Sequence, residues 1–224
     1  YKKAIDLNPH NIFAVTQCAD ILVKKKEDVE SALKVLNDGI QNNPTQPKNT
    51  TNISWLFRLK GEIYYKKEDF KQALDGYNKA IELDKMIEGA AFIFLRLAII
   101  HYNLDQYKES IKSFYKCFDL DGETYKGVYT YYYLAESLKN EKLYEESANY
   151  FQLVLEQNNE NYNPYAYQGL GFVKLKLKDY TSSISAYQKA GKDKWNHQNL
   201  GKAFFGLGEY LNALNEFNNV RDKL

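Results

Sequence analysis

Cysteine is nearly missing from this chain: Cys18 and Cys117 are the only two among 224 residues. They lie far apart, in neither a metal-ligand nor a dithiol spacing. That leaves no basis for a disulfide framework and points to a reducing compartment such as the cytoplasm. An excess of charge is missing too. Lys and Arg number 30 against 29 Asp and Glu, a formal charge of +1, so the chain as a whole has no electrostatic footprint for DNA or RNA. Arginine is scarce, at Arg58, Arg96 and Arg221. No apolar run approaches the roughly eighteen residues of a membrane span, and no charged start leads into an apolar signal segment. Tyr, with 20 copies, abounds together with Asn and Lys, a bias that follows A/T-rich codons.

Groups that carry chemistry are equally sparse. The three histidines, His10, His101 and His197, form no pair at metal-binding spacing, and no Cys–His–acid set is suggested. Gly169 with Gly171, and Gly206 with Gly208, make Gly-x-Gly pairs. They lack the preceding strand, the third glycine and the lysine–hydroxyl pair of a phosphate loop. "DLDG" at 119–122 begins like a calcium loop without its later ligands. "KKKED" at 24–28 reads as a turn whose acids offset its lysines. Asn49 and Asn52 match the glycosylation acceptor pattern, which an Asn-rich chain produces by chance. No catalytic residue, cofactor or metal is expected, and the chain reads as a non-enzyme.

What the sequence does contain is a repeat. A small residue recurs at Ala32, Ala73, Ser110, Ser147, Ser183 and Ala213. Four residues later stands a large one: Leu36, Tyr77, Phe114, Phe151, Tyr187, Phe217. Three further on comes Gly39, Ala80, Cys117, Val154, Ala190 or Val220, and three before the small residue stands Val29, Phe70, Tyr107, Tyr144, Tyr180 or Tyr210. Spacings of three and four place these on one stripe of a helix. Twelve residues upstream, Gly61, Ala98, Ala135, Gly171 and Gly201 mark a second helix, with Ala19 one position off in the first copy. Small residues there let two helix backbones approach closely. Each hairpin has an apolar stripe that it cannot bury alone, so copies must stack.

This pattern resembles the tetratricopeptide repeat family over nearly the whole chain. The resemblance implies an all-α fold, a solenoid of antiparallel helical hairpins in a right-handed superhelix. Residues 1–11 read as a partial copy closed by Pro9, followed by copies at roughly 12–44, 54–85, 91–122, 128–159, 164–192 and 194–224. Successive small residues lie 41, 37, 37, 36 and 30 positions apart, against about 34 in the family. The long interval holds "PTQPKNTTN" at 44–52, a surface loop. The intervals of 37 imply longer helices or turns, and Gly191 truncates a helix in the short one. Lys60 stands where other copies have leucine, so either its stem snorkels or the stripe shifts to Leu56, Leu59 and Ile63. The shift is the favoured reading. Both ends lack a polar cap, so the chain is expected to be a segment of a longer solenoid or to dock its end on something else.

In this family the first helix of each hairpin lines the concave side. Projecting the register puts Arg58, Glu62, Tyr65, Phe92, Leu95, Ile99 and Tyr102 there, then Tyr129, Tyr132, Glu136 and Lys139, then Tyr165, Gln168, Phe172 and Leu175. This stretch is rich in aromatics at positions the fold does not need buried, which marks an interaction surface suited to an extended peptide or an amphipathic helix. The lysine, asparagine and arginine set with which some members grip a partner's C-terminal carboxylate is not reproduced. The expected function is protein binding in this groove. Two alternatives stand beside it: a scaffold segment contacting neighbours in a large assembly by its ends and convex face, with self-association through uncapped ends, and a substrate-recruiting region of an enzyme whose catalytic part lies elsewhere.

Overall fold

The computed structural model describes residues 1–26, 28–44, 50–191 and 193–221, and among them there are thirteen α-helices and no strand. The chain divides into two compact units, Tyr1–Ile100 and His101–Leu224. The first holds α1 (Lys2–Leu7), α2 (Ile12–Lys26), α3 (Val29–Asn42), α4 (Thr50–Lys66), α5 (Phe70–Leu83) and most of α6 (Ala90–Asn103). The second holds α7 (Tyr107–Tyr125), α8 (Val128–Asn140), α9 (Tyr144–Glu156), α10 (Asn163–Lys176), α11 (Tyr180–Ala190), α12 (Lys194–Leu207) and α13 (Tyr210–Arg221).

Within the first unit α2 packs on α3, α4 on α5, and α2 beside α4. Within the second, each helix packs on the next, while α8 lies beside α10 and α10 beside α12. The first helices of successive hairpins are thus neighbours, and the turns inside hairpins are too short for anything but an antiparallel pair.

Those turns follow one rule. The residue five before each of the last five small markers has a left-handed backbone: Glu68 at φ 58°, Asp105 at 57°, Lys142 at 64°, Lys178 at 62° and Gly208 at 86°. The amide that follows donates back to a carbonyl five residues earlier, as in Asp69 to Tyr64, Leu143 to Leu138 and Glu209 to Phe204. That is a Schellman closure, which satisfies the last carbonyls of the first helix. The second helix then starts at once, and Asp28, Asp69 and Asp179 cap α3, α5 and α11 by accepting from the amides of Ser31, Gln72 and Ser182.

The repeat marks lie where the core is. Ala32, Ala73, Ser110, Ser147 and Ser183 are fully buried, as are Leu36, Tyr77, Phe114, Phe151 and Tyr187. Tyr77 lies against Gly61, where an added Cβ would stand 2.9 Å from its ring, and Tyr187 lies against Gly171 at the same distance. Phe151 reaches across to Gly169 of the next hairpin, at only 2.2 Å. At the Lys60 position the shifted stripe is buried at Leu56 and Ile63, and Lys60 lays its ammonium 6.0 Å from the Tyr64 ring. Cys18 and Cys117 are buried and form no disulfide.

The irregular intervals have local causes. α7 runs for 19 residues with a kink at Asp121, whose backbone is not helical, so "DLDG" spans a break inside α7. α11 is cut to 11 residues before Gly191, at φ 106°. The loop segment 45–49 with Asn49, and Glu27 of "KKKED", lie outside the described residues. Asn52 is an exposed residue of α4. No helix among the described residues is long and apolar enough to cross a membrane.

Candidate functional site

The two units are taken separately. In the first, α2, α4 and α6 enclose a groove of about 420 Å³ whose wall includes Val23, Lys24, Trp55, Arg58, Leu59 and Phe92. Glu62 lies at its base. Arg96 Nη2 donates to Glu62 Oε1 at 3.0 Å and Arg96 Nε to Oε2 at 3.3 Å, while the Tyr77 hydroxyl donates to Oε2 at 2.5 Å. Burial works to lower the Arg96 pKa and the Glu62 carboxylate more than offsets it, leaving the guanidinium raised above its ordinary value. Burial, then the Glu62 charge, push the Tyr77 phenol far up. The Arg96 guanidinium also covers Tyr65 at 4.3 Å and Phe92 at 4.6 Å, a cation–π arrangement. Arg58 sits 4.6 Å from the Trp55 ring and 5.5 Å from Phe92, with Nη1 donating to the Glu88 carbonyl.

Glu62, Tyr65 and Phe92 thus gather around Arg96, and Arg58 lies beside Phe92. Leu95 is half-buried on α6. Ile99 is a correction: it is 3% exposed, core and not groove, because α6 carries apolar residues nearly all round and buries Leu97, Ala98, Ile99 and Ile100 in succession.

In the second unit the first helices carry an aromatic face. Tyr133 of α8 meets Tyr102 at 5.0 Å, Tyr129 at 4.7 Å and Tyr132 at 5.4 Å between ring centroids. Tyr132 continues to Tyr162 at 5.3 Å and Tyr165 at 6.4 Å. Phe172 of α10 stacks on Trp195 of α12 at 6.2 Å with planes 21° apart. Lys176 and Lys139 lie 5.2 and 5.9 Å from its ring. Burial, then the Glu136 charge, raise the phenols of Tyr102 and Tyr132. Tyr129, Tyr165 and Trp195 remain exposed.

Two projected residues behave differently here. Glu136 is 8% exposed, with both oxygens on Lys139 Nζ at 2.6 and 2.7 Å, so it is a paired residue folded into α8. Gln168 Nε2 donates to Asn196 Oδ1 at 3.1 Å and Asp193 Oδ2 at 3.3 Å, so it fastens α10 to the start of α12. Tyr132 and Phe172 are half-buried, sharing their rings with the core. Trp55 and Trp195 were not projected. Each stands near the N-terminus of its helix, one turn or more before the small-residue mark on which the register was built. His197 is buried with Nδ1 2.6 Å from Glu216 Oε2, tying α12 to α13. Among the described residues no group of three or more His, Cys, Asp or Glu side chains could hold a metal ion.

Solved structures share this architecture. YrrB, described as a TPR protein with an unusual peptide-binding site, superposes with a TM-score of 0.70 at 18% identity, over 97% of each chain. The chain has the tetratricopeptide-repeat fold. A structure of the MamA protein gives a TM-score of 0.63 at 22% identity over 79% of this chain and 92% of its own. The Cut9–Hcn1 hetero-tetramer of APC/C gives 0.54 at 15% identity, covering 98% of this chain and 41% of that one. A family model described as "Uncharacterized protein conserved in bacteria (DUF2225)" matches residues 31–129. No curated protein matches the chain. TPR architecture accounts for the Gly-x-Gly pairs: Gly169 and Gly171 lie inside α10 against Phe151 and Tyr187, and Gly206 lies in α12 against Tyr180.

Proposed function

We propose that this chain is a non-catalytic protein-interaction module that holds a peptide or an amphipathic helix of a partner on the first helices of its hairpins. The carrying observation is the exposure of Tyr129, Tyr165 and Trp195, at 38, 58 and 41%. These rings sit on α8, α10 and α12 and stay open to solvent while also packing on neighbouring aromatics. Exposed aromatic clusters are characteristic of binding hot spots. A TPR protein with a peptide-binding site and a TPR-type subunit complex among the structural neighbours support the reading at the level of fold. Burial of Cys18 and Cys117 without a disulfide fits a reducing compartment.

Affinity capture from the native source, read by mass spectrometry, tests this. The bait is compared with a variant carrying Tyr129→Glu and Tyr165→Glu, both exposed so that the change spares the core, with helicity checked by circular dichroism. Partners lost from the variant place binding on this face.

A second reading, a scaffold segment, rests on α13. Its residues Tyr210, Leu211 and Leu214 are 65, 84 and 57% exposed. Partners retained equally by both baits favour it.

A further inference from the structure

The groove of the first unit has an unbalanced charge that names its ligand. Two acids line it, Asp20 and Glu62, and each already has its cation. Asp20 Oδ1 holds Lys24 Nζ at 3.0 Å. Glu62 holds Arg96 through both oxygens and accepts from Tyr77 as well. The remaining lining cations are Arg58 and Lys66, and neither has an acidic partner among the described residues. Arg58 donates one N–H to the Glu88 carbonyl and holds its guanidinium carbon 4.6 Å from the Trp55 ring centre, which leaves its other N–H groups to donate to a carboxylate.

We propose that this groove binds an acidic segment of a partner protein in which two carboxylates flank a large apolar side chain, the carboxylates meeting Arg58 and Lys66. This rests on the interaction reading above and gives it a ligand chemistry. Geometry sets the spacing. Arg58 and Lys66 are eight residues apart on α4, roughly 12 Å along its axis at 1.5 Å per residue. An extended peptide covers that distance in about four residues. Alternate side chains of an extended chain share a face, so the residue midway between two such acids points the same way they do. The same groove is lined by the apolar side chains of Leu59, Val23, Phe92 and Trp55. The predicted recognition element is therefore acid–x–apolar–x–acid in extended form. A volume of about 420 Å³ falls within the range of about 300–1,000 Å³ typical of ligand clefts. A basic segment is disfavoured because both groove carboxylates are already occupied.

The test is fluorescence anisotropy on the full chain with a fluorescein-labelled peptide containing Glu-Ala-Phe-Ala-Glu, beside peptides with Gln-Ala-Phe-Ala-Gln and Lys-Ala-Phe-Ala-Lys cores. The acidic peptide is expected to bind about tenfold or more tightly than the glutamine one, and to weaken several-fold between about 50 and 300 mM salt. The double variant Arg58→Gln with Lys66→Gln is expected to lose that preference. A variant removing the same charge elsewhere, Lys71→Gln with Lys108→Gln, is expected to keep it. Equal binding of all three peptides, or a preference that survives in the Arg58 and Lys66 variant, overturns this inference. A randomised peptide library displayed on phage separates the two levels of failure. Enrichment of peptides without the paired acids sinks this ligand chemistry alone, and enrichment of none sinks the peptide-binding reading as well.

Discussion

The Ser183 hydroxyl donates to the Gly171 carbonyl across 2.8 Å, joining the middle of α11 to the middle of α10 in a fully buried position. Ser147 makes the same bond to the Ala135 carbonyl, also at 2.8 Å. At Ser147 and Ser183 the marker of the repeat is thus more than a small residue: it hydrogen-bonds the first helix of its own hairpin, whereas the Ser110 hydroxyl meets Ser137 Oγ of α8 at 3.0 Å. Ser183→Ala keeps the close approach and removes the bond, for a loss of about 1 kcal/mol. On a chain of this size that lowers the thermal midpoint by about 2–4 °C. Ser183→Val loses the bond and also adds volume to a full site, so it is expected to lower the midpoint further. A thermal melt followed at the helical circular dichroism band decides. If alanine proves neutral, the bond carries nothing.

The left-handed turn residue invites the opposite change. Lys142 and Lys178 hold φ near 60°, a conformation that costs a residue with a Cβ roughly 1–2 kcal/mol, while Gly208 serves the same position in the last hairpin. Lys178→Gly removes that strain but gives the unfolded chain more freedom, so the net gain is about 1 kcal/mol or less. Lys178 ends in solvent, and the neighbouring ion pair between Lys174 and Asp179 is untouched. A rise in the urea midpoint at unchanged slope is expected. A fall would mean that the turn is not strained.

These two features show what the sequence made legible and what it hid. The stripes were readable because burial selects side-chain size at fixed spacing, and Tyr77, Phe151 and Tyr187 occupy the core positions that spacing assigned to them. The turn rule was hidden because Glu68, Asp105, Lys142 and Lys178 are ordinary surface residues by type, and only Gly208 announces its backbone. Binding faces are harder still. Arg58, Glu62 and Phe92 came together because they lie on the open side of a regular helix pair. Ile99 failed because α6 is apolar nearly all round apart from Arg96 and its last turn, so the register alone does not say which face meets water. Glu136 and Gln168 failed for another reason: long polar side chains choose among partners on their own helix or the next, and spacing does not encode that choice.

Tyrosine burial sets a pH limit. Burial raises the phenols of Tyr187, Tyr77, Tyr102 and Tyr132, and a hydrogen bond to Asp105 pushes Tyr107 up to about 12. A raised folded pKa means the folded chain keeps a proton that the unfolded chain releases near pH 10. The stability these groups contribute is complete below about pH 10 and is lost as pH rises beyond it. Each contributes a slope of about 1.4 kcal/mol per pH unit while it remains protonated. Tyr187 gives the cleanest case, because its buried hydroxyl has no hydrogen-bond partner among the described residues. Tyr187→Phe is expected to be neutral or slightly stabilising at pH 7 and to reduce the alkaline slope by one proton. Tyr77→Phe is expected to be destabilising at pH 7, since it strips Glu62 of a bond. Urea midpoints from pH 7 to 11, with phenolate absorbance recorded alongside, separate the two.

The last prediction uses the two tryptophans, one per unit. Trp55 lines the groove of the first unit beneath Arg58, and Trp195 stacks on Phe172 in the second. Tryptophan emission responds to the polarity and charge around the ring, so each indole reports on its own face. With Trp195→Phe, only Trp55 emits, and titration with the Glu-Ala-Phe-Ala-Glu peptide is expected to shift its emission with the affinity seen by anisotropy. With Trp55→Phe, only Trp195 emits, and the same titration is expected to leave it unchanged. A response confined to Trp195 would move acidic recognition to the aromatic face of the second unit, where Lys139 and Lys176 flank Phe172. The single-tryptophan pair thus assigns a ligand to one unit directly, without relying on substitutions in the groove itself.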